Sequence, residues 1–99
     1  MIFIEDENHA EQDGPYESFA AAEAELKRRV LMDWDEPPNR VPCMSWKTCG
    51  REYWVVEYLE RPGAWTRQKR AHVLSVSSSG ARWIDGYRLA WEGSAQNAE

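Results

Sequence analysis

The chain has 99 residues, 42% hydrophobic with six tryptophans, a size and composition that suit one small domain with a helix covering a sheet. No run reaches the roughly 18 apolar residues of a membrane span, and MIFIEDENH turns acidic too soon for a secretory signal, so a soluble cytoplasmic protein without a membrane partner is expected. The net charge of -5 conceals a division: residues 1–38 hold eleven acids and three bases (net -8), residues 39–91 nine bases and four acids (net +5), and the last eight residues two acids.

Residues 1–15 join strand-capable MIFI to an acidic segment ending in Gly14-Pro15, and read as an acidic N-terminal arm or edge strand closed by a turn. Phe19, Ala22, Leu26, Val30 and Trp34 then recur every three or four residues, which predicts an amphipathic helix near residues 16–34. Glu17, Glu23 and Glu25 toward its start and Lys27, Arg28 and Arg29 toward its end complement the helix dipole. Asp13 and Ser18 are the candidate caps. Pro37-Pro38 supplies the stop, because neither residue can donate a helical hydrogen bond.

Residues 35–50 read as irregular, with a short strand over Val41–Trp46. Cys43 and Cys49 have five residues between them, a spacing that fits neither a CxxC redox motif nor a four-ligand zinc site; two reduced thiols and no metal are expected. From residue 52 the period becomes two. Trp54, Val56 and Tyr58 share one strand face and Tyr53, Val55, Glu57 and Leu59 the other, so a central strand with Trp54 in the core is predicted.

RPGAW supplies a turn into a second strand near residues 68–76, with Lys69, Ala71, Val73 and Ser75 on one face and Arg70, His72, Leu74 and Val76 on the other. Ser77–Gly80 is a further turn, ARWI a third strand, and Asp85-Gly86 a hairpin signal leading into YRLAWE, whose Tyr87, Leu89 and Trp91 alternate. The pattern is α+β: one N-terminal amphipathic helix packed against a three- to five-stranded antiparallel meander, with residues 16–92 as a single domain and 93–99 as a flexible tail.

Arg61, Trp65, Arg67, Lys69 and Arg70 form the candidate binding group, at and after the hairpin turn. Tryptophan and arginine combine contact area with directional donors, as protein interfaces require, and the leading reading is a small non-catalytic protein-interaction or regulatory module. Its partner would be another protein or a second copy, the latter through strand edges at MIFI or YRLAWE. Trp65, Arg67, Lys69, Arg70 and His72 would also suit single-stranded nucleic acid, by base stacking and phosphate contacts.

The carboxylates of Glu5, Asp6, Glu7, Glu11, Asp13 and Glu17 suggest a further alternative, an acidic inhibitor that mimics nucleic acid. Catalysis has no linear motif here. It would need the fold to bring His72 to Cys43 or Cys49 and a carboxylate, or to pair Glu57 with Glu60. No cofactor is implied.

Overall fold

The computed structural model describes residues 1–42 and 49–94, with Arg61 by its backbone alone. Five strands, β1 (Ile2–Asp6), β2 (Glu11–Tyr16), β3 (Arg51–Arg61), β4 (Ala64–Ser77) and β5 (Gly80–Trp83), form one antiparallel sheet in the order β2-β1-β3-β4-β5. Helices α1 (Phe19–Val30) and α2 (Tyr87–Ser94) pack on the same face of that sheet. The expected α+β arrangement of an N-terminal helix on an antiparallel sheet is therefore present, with a second helix added. No helix among the described residues is long and apolar enough to cross a membrane.

MIFI is an interior strand, not an edge or a loose arm. Ile2 and Ile4 are buried in the core cluster, and the intervening Phe3 is buried on the opposite face. A strand apolar on both faces is stabilised by neighbours on both sides, and β1 has them in β2 and β3. The edge is β2, and Gly14-Pro15 lies inside it rather than in a turn. At an edge the donor that Pro15 lacks is not needed by a second neighbour. Gly14 adopts φ +130°, and a Cβ there would approach the Ile2 carbonyl oxygen and the Tyr16 ring to 3.1 Å, so the close pairing of β2 with β1 requires glycine.

Ser18 caps α1, its Oγ accepting from the Ala21 N–H at 3.0 Å. The helix is shorter than its sequence period because Tyr16 is taken by β2 and the C-terminal end is closed at Leu31. Asn39 Nδ2, just after Pro37-Pro38, reaches back to the carbonyl of Arg29 at 2.9 Å, a second donor to an acceptor of the last turn that also takes the Met32 N–H at 3.1 Å. The basic last turn is as expected, but the first turn contains no acid, since Glu17 precedes the helix and Glu23 and Glu25 follow that turn. Ala22 and Leu26 are fully buried; Phe19, Val30 and Trp34 pack partly buried against the same core, Trp34 from beyond the helix end.

The last expected strand, YRLAWE, is the helix α2. Tyr87 and Trp91 stand four apart, so the same residues that alternate in a strand also share a helix face, and Leu89 between them is 75% exposed. Trp91 is buried with Phe19, ring centroids 4.7 Å apart. Gly93 and Ser94 belong to α2 rather than to a tail. The strand expected over Val41–Trp46 falls mostly outside the described residues, as does Trp46; Val41 and Pro42 are not in a strand.

Leu26 joins helix to sheet, so Leu26→Ala should destabilise the protein by about 2–5 kcal/mol, read as a lower urea midpoint with an unchanged slope.

Candidate functional site

The two faces of the sheet differ in kind. Tyr53, Val55, Ala71 and Val73 face the helices, whereas Trp54, Val56, Tyr58, Arg70 and His72 face away from them. Two irregularities of pairing, between Glu57/Tyr58 and between Tyr53/Trp54, each insert an extra residue into β4, at Gln68 and Val73. The second lets Val73 and Leu74 both join the core cluster on the helix side, which strict alternation forbids. The first places Lys69 with its ammonium 5.3 Å from the Trp91 ring centroid, on the helix side, while Arg67 and Arg70 stay on the open face.

Trp54 is half-buried on that open face, which corrects its expected place in the core; Trp91 occupies the core instead. Its ring stacks on His72, centroids 4.9 Å apart and planes 11° apart, and the Arg70 guanidinium lies 4.0 Å from its centroid. Phe3, Tyr58 and Trp65 make a second aromatic group, with centroid separations of 5.8–6.0 Å. Phe3 and Val56 are buried beneath these rings, although no helix among the described residues covers them.

Beyond β1 the hairpin continues alone. β1 pairs with β3 only from Tyr53 to Glu57, so the end of β3 and the start of β4 project as a two-stranded arm turned by Pro62-Gly63. Gly63 takes φ +82°, the conformation this tight turn requires. Trp65 is 47% exposed on one face of the arm, and Leu59, on the other, is 42% exposed. Arg67 is exposed beside Tyr58.

The predicted group is thus divided. Trp65, Arg67 and Arg70 share the open face, Lys69 faces α2, and the Arg61 side chain lies outside the description. His72 Nε2 is 2.6 Å from Glu52 Oε2, and Arg70 Nη2 donates to Glu7 at 2.9 Å. The Arg70 Nε is buried with no hydrogen-bond partner. Burial, then the hydrogen bond from Tyr58 to Glu5, holds the Tyr58 hydroxyl above its ordinary value of 10.0. Arg70 already has the Glu7 carboxylate as its partner and His72 lies against Glu52, so the electrostatic pull on a phosphate chain is reduced.

The acidic N-terminal residues are largely committed inside the molecule. Glu5 accepts from Tyr58 and Gln12, Asp6 from Arg51, Glu7 from Arg70, Glu11 from Arg51 and Asp13 from Arg29. The sign change along the chain is in good part internal neutralisation rather than a free acidic series.

Sequence reasoning missed the buried guanidinium groups of Arg29 and Arg51. Arg51 donates to Asp6 at 2.9 Å and to Glu11, and also to the carbonyls of Asn39 and Arg40. Arg29 donates to Glu25 and Asp13 at 2.6 Å each and lies 5.1 Å from the Tyr53 ring centroid. These groups line a cleft of about 490 Å³ between the first hairpin and residues 37–42. Their donors are turned onto the protein's own carboxylates and carbonyls, which makes the cleft a structural junction. The signal was absent from the sequence because Arg29 sits in a basic helix end and Arg51 at a strand start, both ordinarily solvated.

Among the described residues, those proposed for catalysis do not assemble. Cys49 is disulfide-bonded and offers no thiolate, correcting the expected reduced thiol; the chain's other cysteine, Cys43, lies outside the described residues. Glu52 stands between Ser75 Oγ, 2.9 Å away, and His72, so the imidazole has no hydroxyl to deprotonate. Glu57 and Glu60 point to opposite faces of β3. Among the described residues no group of three or more His, Cys, Asp and Glu is arranged to hold a metal. No family model, curated protein or solved structure matches the chain.

Removing the Arg51 charge at similar length, as in Arg51→Gln, should cost about 3 kcal/mol in denaturant unfolding, because buried Asp6 loses its cation. Burial would raise the Glu23 carboxyl, but hydrogen bonds from Arg88 and Tyr87 outweigh it and hold the group below its ordinary 4.5; hydrogen bonds from Arg28 and Arg29 do the same for Glu25 against burial. Carboxyl groups lowered in the folded state stabilise fully above about 4.5 and lose that contribution as pH falls through their folded values. Unfolding midpoints followed from pH 6 to 3 should therefore fall less steeply in an E23Q/E25Q variant than in the parent.

Proposed function

We propose that the protein is a small non-catalytic protein-interaction module whose contact surface is the projecting β3–β4 arm with the adjoining open sheet face. One observation carries this reading: the arm holds Trp65 and Leu59 nearly half exposed on its two faces, beyond the part of the sheet that β1 supports. Folding gains little from apolar groups left in water, whereas burying them against a partner would contribute roughly 25 cal/mol per Å² of apolar surface. Trp65 is the anchor, backed by Phe3 and Tyr58 so that its ring loses little freedom on binding. Arg67 beside it supplies directional donors at the rim.

A folded protein suits this surface better than single-stranded nucleic acid. Glu5, Glu7 and Glu52 share the face with Arg67, Arg70 and His72, so a phosphate chain would meet both signs at close range. Self-association through MIFI or YRLAWE is not carried forward, since the first is interior to the sheet and the second is helical.

A photo-reactive residue placed at Thr66 should crosslink one discrete partner in cells, and W65A should weaken binding of that purified partner by about thirtyfold, the effect of a 2 kcal/mol anchor. The same variant should lose only about 1 kcal/mol of folding stability. Equal partner affinity in W65A, or salt-sensitive anisotropy with DNA or RNA in place of a protein crosslink, would overturn the reading.

A further inference from the structure

We infer that the outer edge of β4 between Trp65 and Lys69 receives an extended acidic peptide strand from the partner, adding a strand to the arm; this deepens, and rests on, the interaction role proposed above. The edge of β4 is closed along its second half. β5 pairs with Leu74–Ser77, the Val73 carbonyl accepts from the Ile84 N–H at 2.9 Å, and the Arg70 N–H donates to Ser94 Oγ at 3.1 Å. Among the described residues no strand pairs outside Ala64–Lys69.

The turn fixes which backbone groups are available there. Pro62-Gly63 is a two-residue connection closed by the pair Arg61 and Ala64, so bonded and non-bonded pairs alternate from that point. The N–H and C=O groups of Trp65 and Arg67 accordingly face away from β3, toward the open side. Both residues are exposed, and the stretch from Ala64 to Arg67 precedes the extra residue at Gln68, so it is regular enough to template a partner strand.

Charge selects the chemistry of that strand. Residues 64–77 contain Arg67, Lys69 and Arg70 and not one Asp or Glu. The nearest acids of the hairpin, Glu57 and Glu60, lie on β3, opposite Lys69 and Trp65. A strand added outside β4 runs about 4.8 Å from the β4 backbone and about twice that from the β3 backbone, so its side chains neighbour those of β4 rather than the β3 carboxylates. An acidic strand is attracted there. The opposite sheet edge makes the contrast: β2 carries Pro15 in place of a donor, and also Glu11 and Asp13.

The test uses the full chain and fluorescein-labelled heptapeptides that alternate valine with glutamate, their valine–lysine counterparts, and the acidic peptide N-methylated at every amide. The acidic peptide should bind at least tenfold more tightly than the lysine peptide, N-methylation should weaken it at least tenfold, and R67Q should weaken it about fivefold. Amide resonances of Trp65 and Arg67 should move most. Equal binding of the methylated peptide, no binding at millimolar concentration, or shifts centred on Trp54 and His72 would overturn the proposal. If the peptide fails while W65A still weakens the captured partner, the edge site is lost and the interaction role stands; insensitivity to W65A removes that role itself.

Discussion

The buried guanidinium of Arg51 is the point on which the arrangement of the chain depends. It draws together Asp6 of β1, Glu11 of β2 and the carbonyls of Asn39 and Arg40, four groups from three separate segments. Asn39 in turn reaches the last turn of α1 through the Arg29 carbonyl and accepts from the Tyr53 hydroxyl at 2.9 Å. A buried charge is costly unless every donor finds an acceptor, so the network is stable in one arrangement of hairpin, helix end and central strand. The apolar core supplies most of the driving force, but it does not by itself fix how the connection from α1 returns to β3.

With that junction at one end of the sheet, the other end is free to project. β3 and β4 run to 11 and 14 residues, whereas β1 has 5, and the difference becomes the arm. One face of the sheet is closed by Leu26 and Trp91; the other, among the described residues, is shielded by its own side chains, in the Trp54–His72–Arg70 stack and the Phe3–Tyr58–Trp65 group. A sheet of this size buries its larger apolar area under helices and leaves aromatic rings to shield the remainder. The projecting arm is thus a consequence of unequal strand lengths.

The charge division along the sequence acquires a different meaning in three dimensions. Asp6 and Glu11 meet Arg51 and Glu7 meets Arg70, which joins the -8 and +5 segments, while Asp13 meets Arg29 within the first. β4 itself carries Arg67, Lys69 and Arg70 and no acid, and of these Arg70 meets Glu7 and Lys69 lies over Trp91. Local geometry, rather than net charge, separates the solvated or paired cations from those placed beside unpaired backbone.

Much of the fold was legible in the residues. The helical spacing of Phe19, Ala22, Leu26 and Val30, the double alternation from Tyr53 to Leu59 and the Pro-Gly turn are local signals, and local sterics and burial enforce them. Of the candidate site, the exposure of Trp65 could be read from the polar residues about its turn. The division of Arg67 from Lys69, and its union with Arg70 on one face, could not, because the inserted Gln68 is visible only against the register of β3. YRLAWE satisfied two periods at once, and Phe19 decided between them by accepting Trp91 on a helix face. The sequence by itself determined the elements whose apolar spacing admits one period; tertiary structure decided strand order, β4 register and the burial of Arg51, since these depend on pairing with other segments, for Arg51 with carboxylates 40 and 45 residues away, whose cost and gain no local pattern encodes.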